Sequence, residues 1–398
     1  TVDLDKNAVI TTNNGTIDNA NSDVVLSGVV SGQGQLIKSG AGKFSLTNEN
    51  NTFAGGVRIK DGVLEVSSDG SLGKQGSQVL IDGATLEISK DTDLKRQIVL
   101  TSKGGIVSVA NNSSATLSGE LALDNNVLSA DLTKAGNGTL NLTKDNNSSG
   151  FKGNTIIQAG TLGITSQNNL AEGKLFLEGG NLRTNASLDF NKEIVINTTG
   201  GIDTALDAQG NKTNIKVTSK IQGNGGFVKT GEGTLTLSAD NAYAGGTQVN
   251  KGVLVVQKDS NLGLASTDVT IDGGTLKLTA ADSIDFSNTV ADPDSRKLNI
   301  GASGGALDIS SLQNVVIQTE VSGKGTLTVK GTSDSELVLT GNNTALQGGI
   351  VLENGTLKIQ DNNGLGSLAS TLVLKGGTTL DTTLANSALS LDRKISIG

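Results

Sequence analysis

A glycine-rich phrase recurs four times along this chain, and its spacing limits what the chain can fold into. Clear copies begin at Gly42, GKFSLTNENNTFAGGVRIKDGVLEV, and at Gly233, GTLTLSADNAYAGGTQVNKGVLVVQ. Looser copies begin at Gly138 and Ser335. The lysines that precede the copies are Lys38, Lys134, Lys229 and Lys330, at intervals of 96, 95 and 101 residues. The spacing gives four long repeats, approximately 1–100, 101–196, 197–300 and 301–398.

A shorter period lies inside each long repeat. In the first repeat, Leu46, Leu64 and Leu86 take the same place in successive strand-like segments, at intervals of 18 and 22 residues. The matching residues of the third repeat are Leu237, Leu254 and Leu276, at intervals of 17 and 22. A period of about 20 residues is typical of a solenoid, whose turns are unstable alone and bury their apolar sides by stacking.

The segments themselves have the pattern of β-strands. GVLEV, TLEIS and TLTLS alternate apolar and polar residues, and Gly, Asn and Asp separate them. No segment has a convincing helical period. A sandwich needs hairpins and a propeller needs a period of about 40 residues, so the short period favours an all-β parallel β-helix. We expect residues 1–398 to form one continuous β-helix with about 20 residues per coil and about twenty coils.

The composition excludes several classes of function. The chain has no Cys, His, Met or Trp, so it has no disulfide, no thiolate metal site and no histidine-dependent catalytic triad. Its net charge of −8 argues against nucleic acid and anionic membranes as partners. The longest apolar runs are far too short to cross a membrane. The start at Thr1 and the lack of Met predict an internal piece of a longer protein.

Aromatic residues are rare but share one position. Phe53, Phe151 and Tyr243 each precede the glycine pair of their copy, and Leu346 takes this place in the fourth. We expect these side chains to be buried over a corner of the coil, because copies about 95 residues apart are too distant to act together on a ligand.

Paired carboxylates would indicate an enzyme, because some β-helices cleave polysaccharides. The densest group is Asp292 and Asp294 with Arg296, in ADPDSRK. We interpret this segment as a polar loop inserted between coils, around the single proline. The basic residues at this step of the repeat are Arg96, Arg296 and Arg393, with Lys192 in the second repeat. A residue type that recurs in this way predicts a solvated strand flank.

The sequence contains neither of two common calcium-binding motifs. The Ca²⁺-binding glycine-aspartate nonapeptide and the EF-hand loop are both missing. Asp203 and Asp207 lie near glycines in GGIDTALDAQGNK, but the other repeats have no equivalent. The sequence therefore predicts no catalytic residue, no cofactor site and no metal site.

The longest copies carry a resemblance to a known family. Residues 32–73 and 223–263 resemble the passenger-associated transport repeat of bacterial autotransporters, G-x-G-x-L-x-K-x-G-x-G-x-L-x-L followed by N-x-Y/F-x-G-G-T-x-V, G-x-L-x-V and L-G. The second copy has Gly153-Asn154 in place of the glycine pair, and the fourth has KGTSDSE in place of K-x-G-x-G. With the linking coils, the resemblance covers essentially the whole chain.

The resemblance implies a right-handed parallel β-helix that reaches the surface of a Gram-negative cell through a C-terminal outer-membrane barrel. It also implies a non-enzymatic stalk or adhesin, either displayed or released. The partners expected from it are a host surface protein or glycan, or a second bacterial cell through self-association. Two alternatives stay open, a carbohydrate-active enzyme on the same fold and a pure folding and secretion scaffold.

Overall fold

We describe a computed structural model of the chain over residues 2–147, 150–280, 296–385, 389 and 391–398. It separates into two compact units, residues 1–184 and residues 185–398. Both consist of short strands that run parallel to the equivalent strand one turn later. The prediction of an all-β parallel β-helix is therefore confirmed.

The first unit carries its strands on several sheets. In its described residues the largest sheet contains Val2–Leu4, Val24–Leu26, Lys43–Leu46, Val63–Val66, Thr85–Ile88, Gly105–Val109, Leu132–Ala135, Thr155–Ile157 and Leu175–Leu177. The second sheet contains Gly15–Asp18, Leu36–Ser39, Val57–Ile59, Val79–Ile81, Ile98–Leu100 and Leu121–Leu123. The third contains Thr92–Leu94, Ser114–Leu117, Thr139–Leu142, Thr161–Ile164 and Asn181–Thr184, and a short pair is formed by Ala8–Ile10 and Val30–Gly32.

The second unit is organised in the same way. The largest sheet in its described part contains Leu188–Phe190, Asn214–Val217, Thr234–Leu237, Val253–Val256, Thr275–Leu278, Gly305–Asp308, Leu327–Lys330, Ile350–Leu352, Thr371–Leu374 and Lys394–Ile397. A second sheet, called here the trough sheet, contains Gly200–Thr204, Phe227–Thr230, Thr247–Val249, Val269–Ile271, Leu298–Ile300 and Val321–Gly323. The remaining strands are Asn314–Ile317, Glu336–Leu339, Thr356–Ile359 and Thr379–Asp381, and Ile194–Ile196, Ile221–Gly223 and Ala242–Tyr243.

The described residues contain no α-helix, as expected, but they contain four single 3₁₀ turns. These turns are Asp69–Leu72, Gln167–Asn169, Asp259–Leu262 and Asn362–Leu365. Each follows the G-x-L-x-V or G-x-L-x-I strand of its repeat, so one turn of this kind occurs per long repeat.

The core consists of inward side chains stacked in columns along the coils. One column of the first unit runs from Phe44 through Leu64 and Leu86 to Val107, each residue paired in register with the next. All four side chains are fully buried. Burial of such a side chain stabilises the fold by roughly 1.5–3 kcal/mol, and only stacked turns can provide it.

Several coils are longer than the sequence period suggests. The register step is 20 residues from Lys43 to Val63, but 27 from Gly105 to Leu132 and 27 from Gly200 to Phe227. The described part has about 17 turns, fewer than the twenty expected. Insertions at the corners cause the difference, because a corner can lengthen without disturbing the strand ladder.

The long repeat does not match a whole number of turns. The strand that carries Lys38 lies in the second sheet of the first unit, whereas the strand of Lys134 lies in the largest sheet. In the second unit, Lys229 lies in the trough sheet and the matching strand of the fourth repeat lies in the largest sheet. Within each unit, successive copies therefore present the same motif on different sides.

Candidate functional site

The repeated lysines point into the core. Lys38, Lys134 and Lys229 are fully buried, and each lies in a column of aliphatic residues. The Lys134 ammonium donates hydrogen bonds to the carbonyl oxygens of Ala135, Gly136 and Ala159, at 2.7, 2.7 and 3.1 Å. The three acceptors lie on two successive coils, so the ammonium joins the corners of both.

Lys38 and Lys229 repeat this geometry. Lys38 Nζ lies 2.9 and 2.6 Å from the carbonyl oxygens of the next two residues and 3.1 Å from that of Asp61. Lys229 Nζ lies 2.7, 2.9 and 3.0 Å from the equivalent oxygens. Burial lowers the pKa of Lys134 and of Lys229 to about 8 and also lowers the pKa of Lys38. A buried charge of this kind persists only with several acceptors.

The fourth repeat departs from the sequence alignment. Its inward position is taken by Val329, which is fully buried and pairs in register with Leu307. Lys330, which the spacing aligns with the other three lysines, points to the opposite side and is partly exposed. The alignment was wrong by one residue here, and in a strand one residue reverses the side to which a side chain points.

Four buried asparagines hold adjacent coils together, and we call each an asparagine clamp. In the first clamp, Asn51 Oδ1 accepts from the Val30 backbone N–H at 2.8 Å, and Asn51 Nδ2 donates to the Ser71 carbonyl at 2.8 Å. The other clamps are Asn146, Asn241 and Asn343, with acceptor distances of 2.9, 2.8 and 2.7 Å and donor distances of 2.7, 2.6 and 2.9 Å. Each amide therefore bonds the preceding coil and the following 3₁₀ turn.

The arginines are not the solvated strand flanks that the sequence predicted. Arg96 and Arg296 are 1% and 2% exposed. Arg96 Nε and Nη2 donate to the Asp69 carboxylate at 2.9 and 3.0 Å, and Nη1 donates to the Leu72 carbonyl at 3.0 Å. A guanidinium presents five donors in a fixed plane, and here it satisfies the carbonyls of the 3₁₀ turn one coil earlier.

The arginines of two other repeats bond the 3₁₀ turn one coil earlier in the same way. Arg296 Nε donates to Asp259 Oδ1 at 2.7 Å, and its Nη1 and Nη2 donate to the carbonyl oxygens of Leu262 and Gly263. Arg393, partly exposed, donates to Asn362 Oδ1 at 3.1 Å in the fourth repeat. Lys192 is partly exposed in the second repeat. The signal available in the sequence was an Asp or Asn about one coil before each arginine.

The aromatic positions are buried, as predicted. Phe53, Phe151, Tyr243 and Leu346 are at most 1% exposed. Gly263, in the closing L-G of the third copy, has a φ of 85°, and a Cβ there would lie 2.7 Å from the Tyr243 ring. The glycine of the closing L-G pair is therefore needed both for its positive φ and for close packing against the tyrosine ring.

The third copy adds a hydroxyl to this contact. Tyr243 OH lies 2.6 Å from Thr247 Oγ1, which donates to the Leu262 carbonyl at 3.1 Å. Burial raises the pKa of Tyr243, so the phenol stays protonated. In the second copy Phe151 has no hydroxyl, and the buried Thr155 Oγ1 has no hydrogen-bond partner among the described residues.

The acidic candidates were Asp203 and Asp207, which the structure describes, and Asp292 and Asp294. Asp292 and Asp294 lie outside the described residues. Asp207 is partly exposed and accepts from the backbone N–H groups of Asn211 and Gln209, which lower its pKa. No group of three or more acidic side chains in the described part of the chain could hold a metal ion.

Seven carboxyl groups in the described residues have a pKa below the ordinary value. Burial of Glu65 opposes its ionisation, but hydrogen bonding and charge from Lys43 outweigh it and lower the pKa. The other carboxyl groups with a resolved shift in the described residues are also lowered: Asp82, Asp207, Glu232, Asp240, Asp308 and Asp381. A general acid for glycoside cleavage needs the opposite shift.

The outer side of the trough sheet has two shallow depressions, which we call troughs and after which the sheet is named. The first has a volume of about 470 Å³ and is lined by Gln248, Thr270 and the glycine pair Gly245-Gly246, among others. The second, about 450 Å³, is lined by Asn299, Ser322 and neighbouring corner residues. Glycines are needed at these corners because a Cβ on Gly245 would lie 2.3 Å from a backbone nitrogen of the previous coil.

Comparisons with known proteins agree with the repeat pattern. The family model named Passenger-associated-transport-repeat matches residues 36–66, 132–164, 227–256 and 332–359. The chain is 34% identical over 162 residues to the adhesin BmaC autotransporter of Brucella suis biovar 1 (strain 1330), a match that covers 41% of this chain and 4% of that protein. It is 24% identical over 286 residues to the uncharacterized lipoprotein YdeK of Escherichia coli (strain K12), covering 62% of this chain and 22% of that protein.

The chain thus spans a small part of these relatives. No solved structure matches it significantly. No helix in the described residues is long and apolar enough to span a membrane.

Passenger regions are exposed at the cell surface or secreted, and this is the location of the chain. Four passenger-associated transport repeats on a parallel β-helix, together with the similarity to an autotransporter adhesin, support an autotransporter passenger domain.

Proposed function

We propose that the chain is a non-enzymatic stalk and adhesive region that attaches the bacterium to host cells or to other bacteria. The observation that carries this proposal is that the repeated polar groups form hydrogen bonds inside the scaffold. The described lysines, asparagines and arginines of the motif bond neighbouring coils and are mostly buried. They stabilise a scaffold and leave the outer rows of the strands for contact with partners.

Attachment would depend on many weak contacts. The outer rows carry Thr, Ser, Asn and Gln together with charged and apolar residues, at intervals of about 4.8 Å along the stack. Contacts that are weak singly gain strength when several form together on a rigid support. The partners we propose are a host surface protein or glycan, or a second copy of the passenger on another cell.

Beads coated with the purified chain test this function. Coated beads should adhere to epithelial cells or aggregate with each other, and albumin-coated beads should do neither. Failure of both would contradict the proposal. Release of reducing ends from polysaccharides incubated with the chain would favour the alternative of a carbohydrate-active enzyme.

We also propose that the repeats support folding and secretion of the passenger. The support for this role is that each asparagine clamp joins three successive coils, so a formed turn stabilises its neighbours. Alanine at all four clamps should lower the amount of protease-resistant passenger on cells that display the chain. Alanine at the adjacent exposed residues Asn50, Asn147, Asp240 and Asn342 should leave it unchanged.

A further inference from the structure

Gln248 marks a difference between the third repeat and the other three. It is the central, outward residue of the strand after the glycine pair. The same register position carries Arg58, Ile156 and Val351 in the first, second and fourth repeats. Gln248 is partly exposed, lines the larger trough, and its amide has no hydrogen-bond partner among the described residues.

The outward residues that follow Gln248 in register are also uncharged and polar. Thr270, Asn299 and Ser322 pair in sequence, one on each successive coil. Asn299 Nδ2 lies 3.4 Å from Thr270 Oγ1, and Ser322 Oγ lies 3.5 Å from Asn299 Oδ1. These long contacts leave hydrogen-bonding capacity for another molecule. We call Gln248, Thr270, Asn299 and Ser322 the polar row.

The surroundings of the polar row restrict what it can bind. A trough of about 470 Å³ opens beside Gln248 and one of about 450 Å³ opens beside Ser322. Phe227 lines the first trough but is fully buried, so this surface has no aromatic anchor of the kind that dominates protein interfaces. Asp268 lines the first trough and Lys324 lines the second, so the charges of this surface balance and do not favour an ionic ligand.

We propose that the polar row and its two troughs bind an uncharged, extended glycan lying along successive coils. Amide and hydroxyl groups pair with sugar hydroxyls, and the coil spacing of about 4.8 Å is close to the length of one sugar in an extended chain. The inference rests on the proposed adhesive function and assigns one site and one ligand class to it. A partner protein at this surface is the competing outcome.

Tyr243 offers a direct readout of binding. It is the single tyrosine of a chain that has no tryptophan. Its ring lies 5.7 Å from that of Phe227, and its hydroxyl bonds Thr247; both neighbours line the larger trough. Occupation of the trough should therefore change tyrosine fluorescence, and calorimetry supplies an independent measurement.

The test titrates the full chain with hexasaccharides of β-linked glucose, galactose and N-acetylglucosamine. At least one should bind saturably, and a sulfated hexasaccharide should bind at least tenfold more weakly. Gln248→Ala and Thr270→Ala should each weaken binding at least fivefold. Gln158→Ala, at an exposed glutamine of the first unit, should leave it unchanged.

Three results would overturn the inference: no saturable binding of any neutral hexasaccharide, undiminished binding by Gln248→Ala with an unchanged circular dichroism spectrum, or tighter binding of an unfolded polypeptide. The bead assay separates the two proposals. Adhesion of beads coated with Gln248→Ala at the wild-type level removes the glycan site and retains the adhesive function. Absence of adhesion by the wild-type chain removes the function itself.

Discussion

The asparagine clamp of the first repeat gives the sharpest prediction because its control is the neighbouring residue. Asn51 is 5% exposed, whereas Asn50 is exposed. Asn51→Ala leaves the Val30 N–H and the Ser71 carbonyl without partners, and those residues are 1% and 0% exposed. An unpaired buried group costs about 1–3 kcal/mol, so the two together should cost about 2–6 kcal/mol.

Hydrogen exchange is the suitable assay, because a solenoid does not unfold in a single all-or-none step. Backbone amides of residues 24–32 and 69–73 should exchange about 30-fold faster or more in Asn51→Ala, since each 1.4 kcal/mol is a factor of ten. Asn50→Ala should change exchange less than about threefold. Equal exchange in the two variants would refute the assignment of Asn51 as a structural clamp.

Three further predictions follow from the other buried polar groups. Phe151→Tyr should leave local hydrogen exchange unchanged or slow it, because the new hydroxyl can pair with the unpaired Thr155. Phe53→Tyr should lower local stability by about 1–3 kcal/mol and speed exchange, because Val57 takes the threonine position there and leaves the new hydroxyl unpaired. Arg96→Met should destabilise by about 3–5 kcal/mol and expose its 3₁₀ turn to protease, whereas the same change at exposed Lys95 should do neither. Lys134 keeps its proton to a higher pH when unfolded than when folded. Its contribution to stability should therefore rise by up to about 3 kcal/mol from pH 8 to 10.5, and a wild-type slope equal to that of Lys134→Met would contradict this.

Much of the fold could be predicted because its period is repeated so often. Leu64 and Leu86 stack in register as their spacing predicted, but Leu46 pairs with Val66, and Phe44 takes the place beside Leu64. The burial of the aromatic slot followed from its recurrence. Corner insertions, as between Gly105 and Leu132, were not predicted, because a loop that does not pair leaves no periodic signal.

The buried polar groups were the part that sequence reasoning missed. Arg96 looked like a solvated flank, and Lys330 looked equivalent to Lys134. The error at Lys330 is one of strand register, whereas Arg96 lies between two strands. Alternation gives two sides to every strand, and a single shift in register exchanges them. A charged residue is assigned to solvent by default, because burial without partners is too costly.

The sequence by itself determined the class of this protein: parallel strands in short turns, with no disulfide or histidine chemistry. It did so because the hydrophobic period is a local property of the chain. Tertiary structure alone decided that the lysines and arginines turn inward and that successive copies face different sides within each unit. Those outcomes depend on acceptors supplied by the next coil, 20 or more residues away, and on how many turns each long repeat contains.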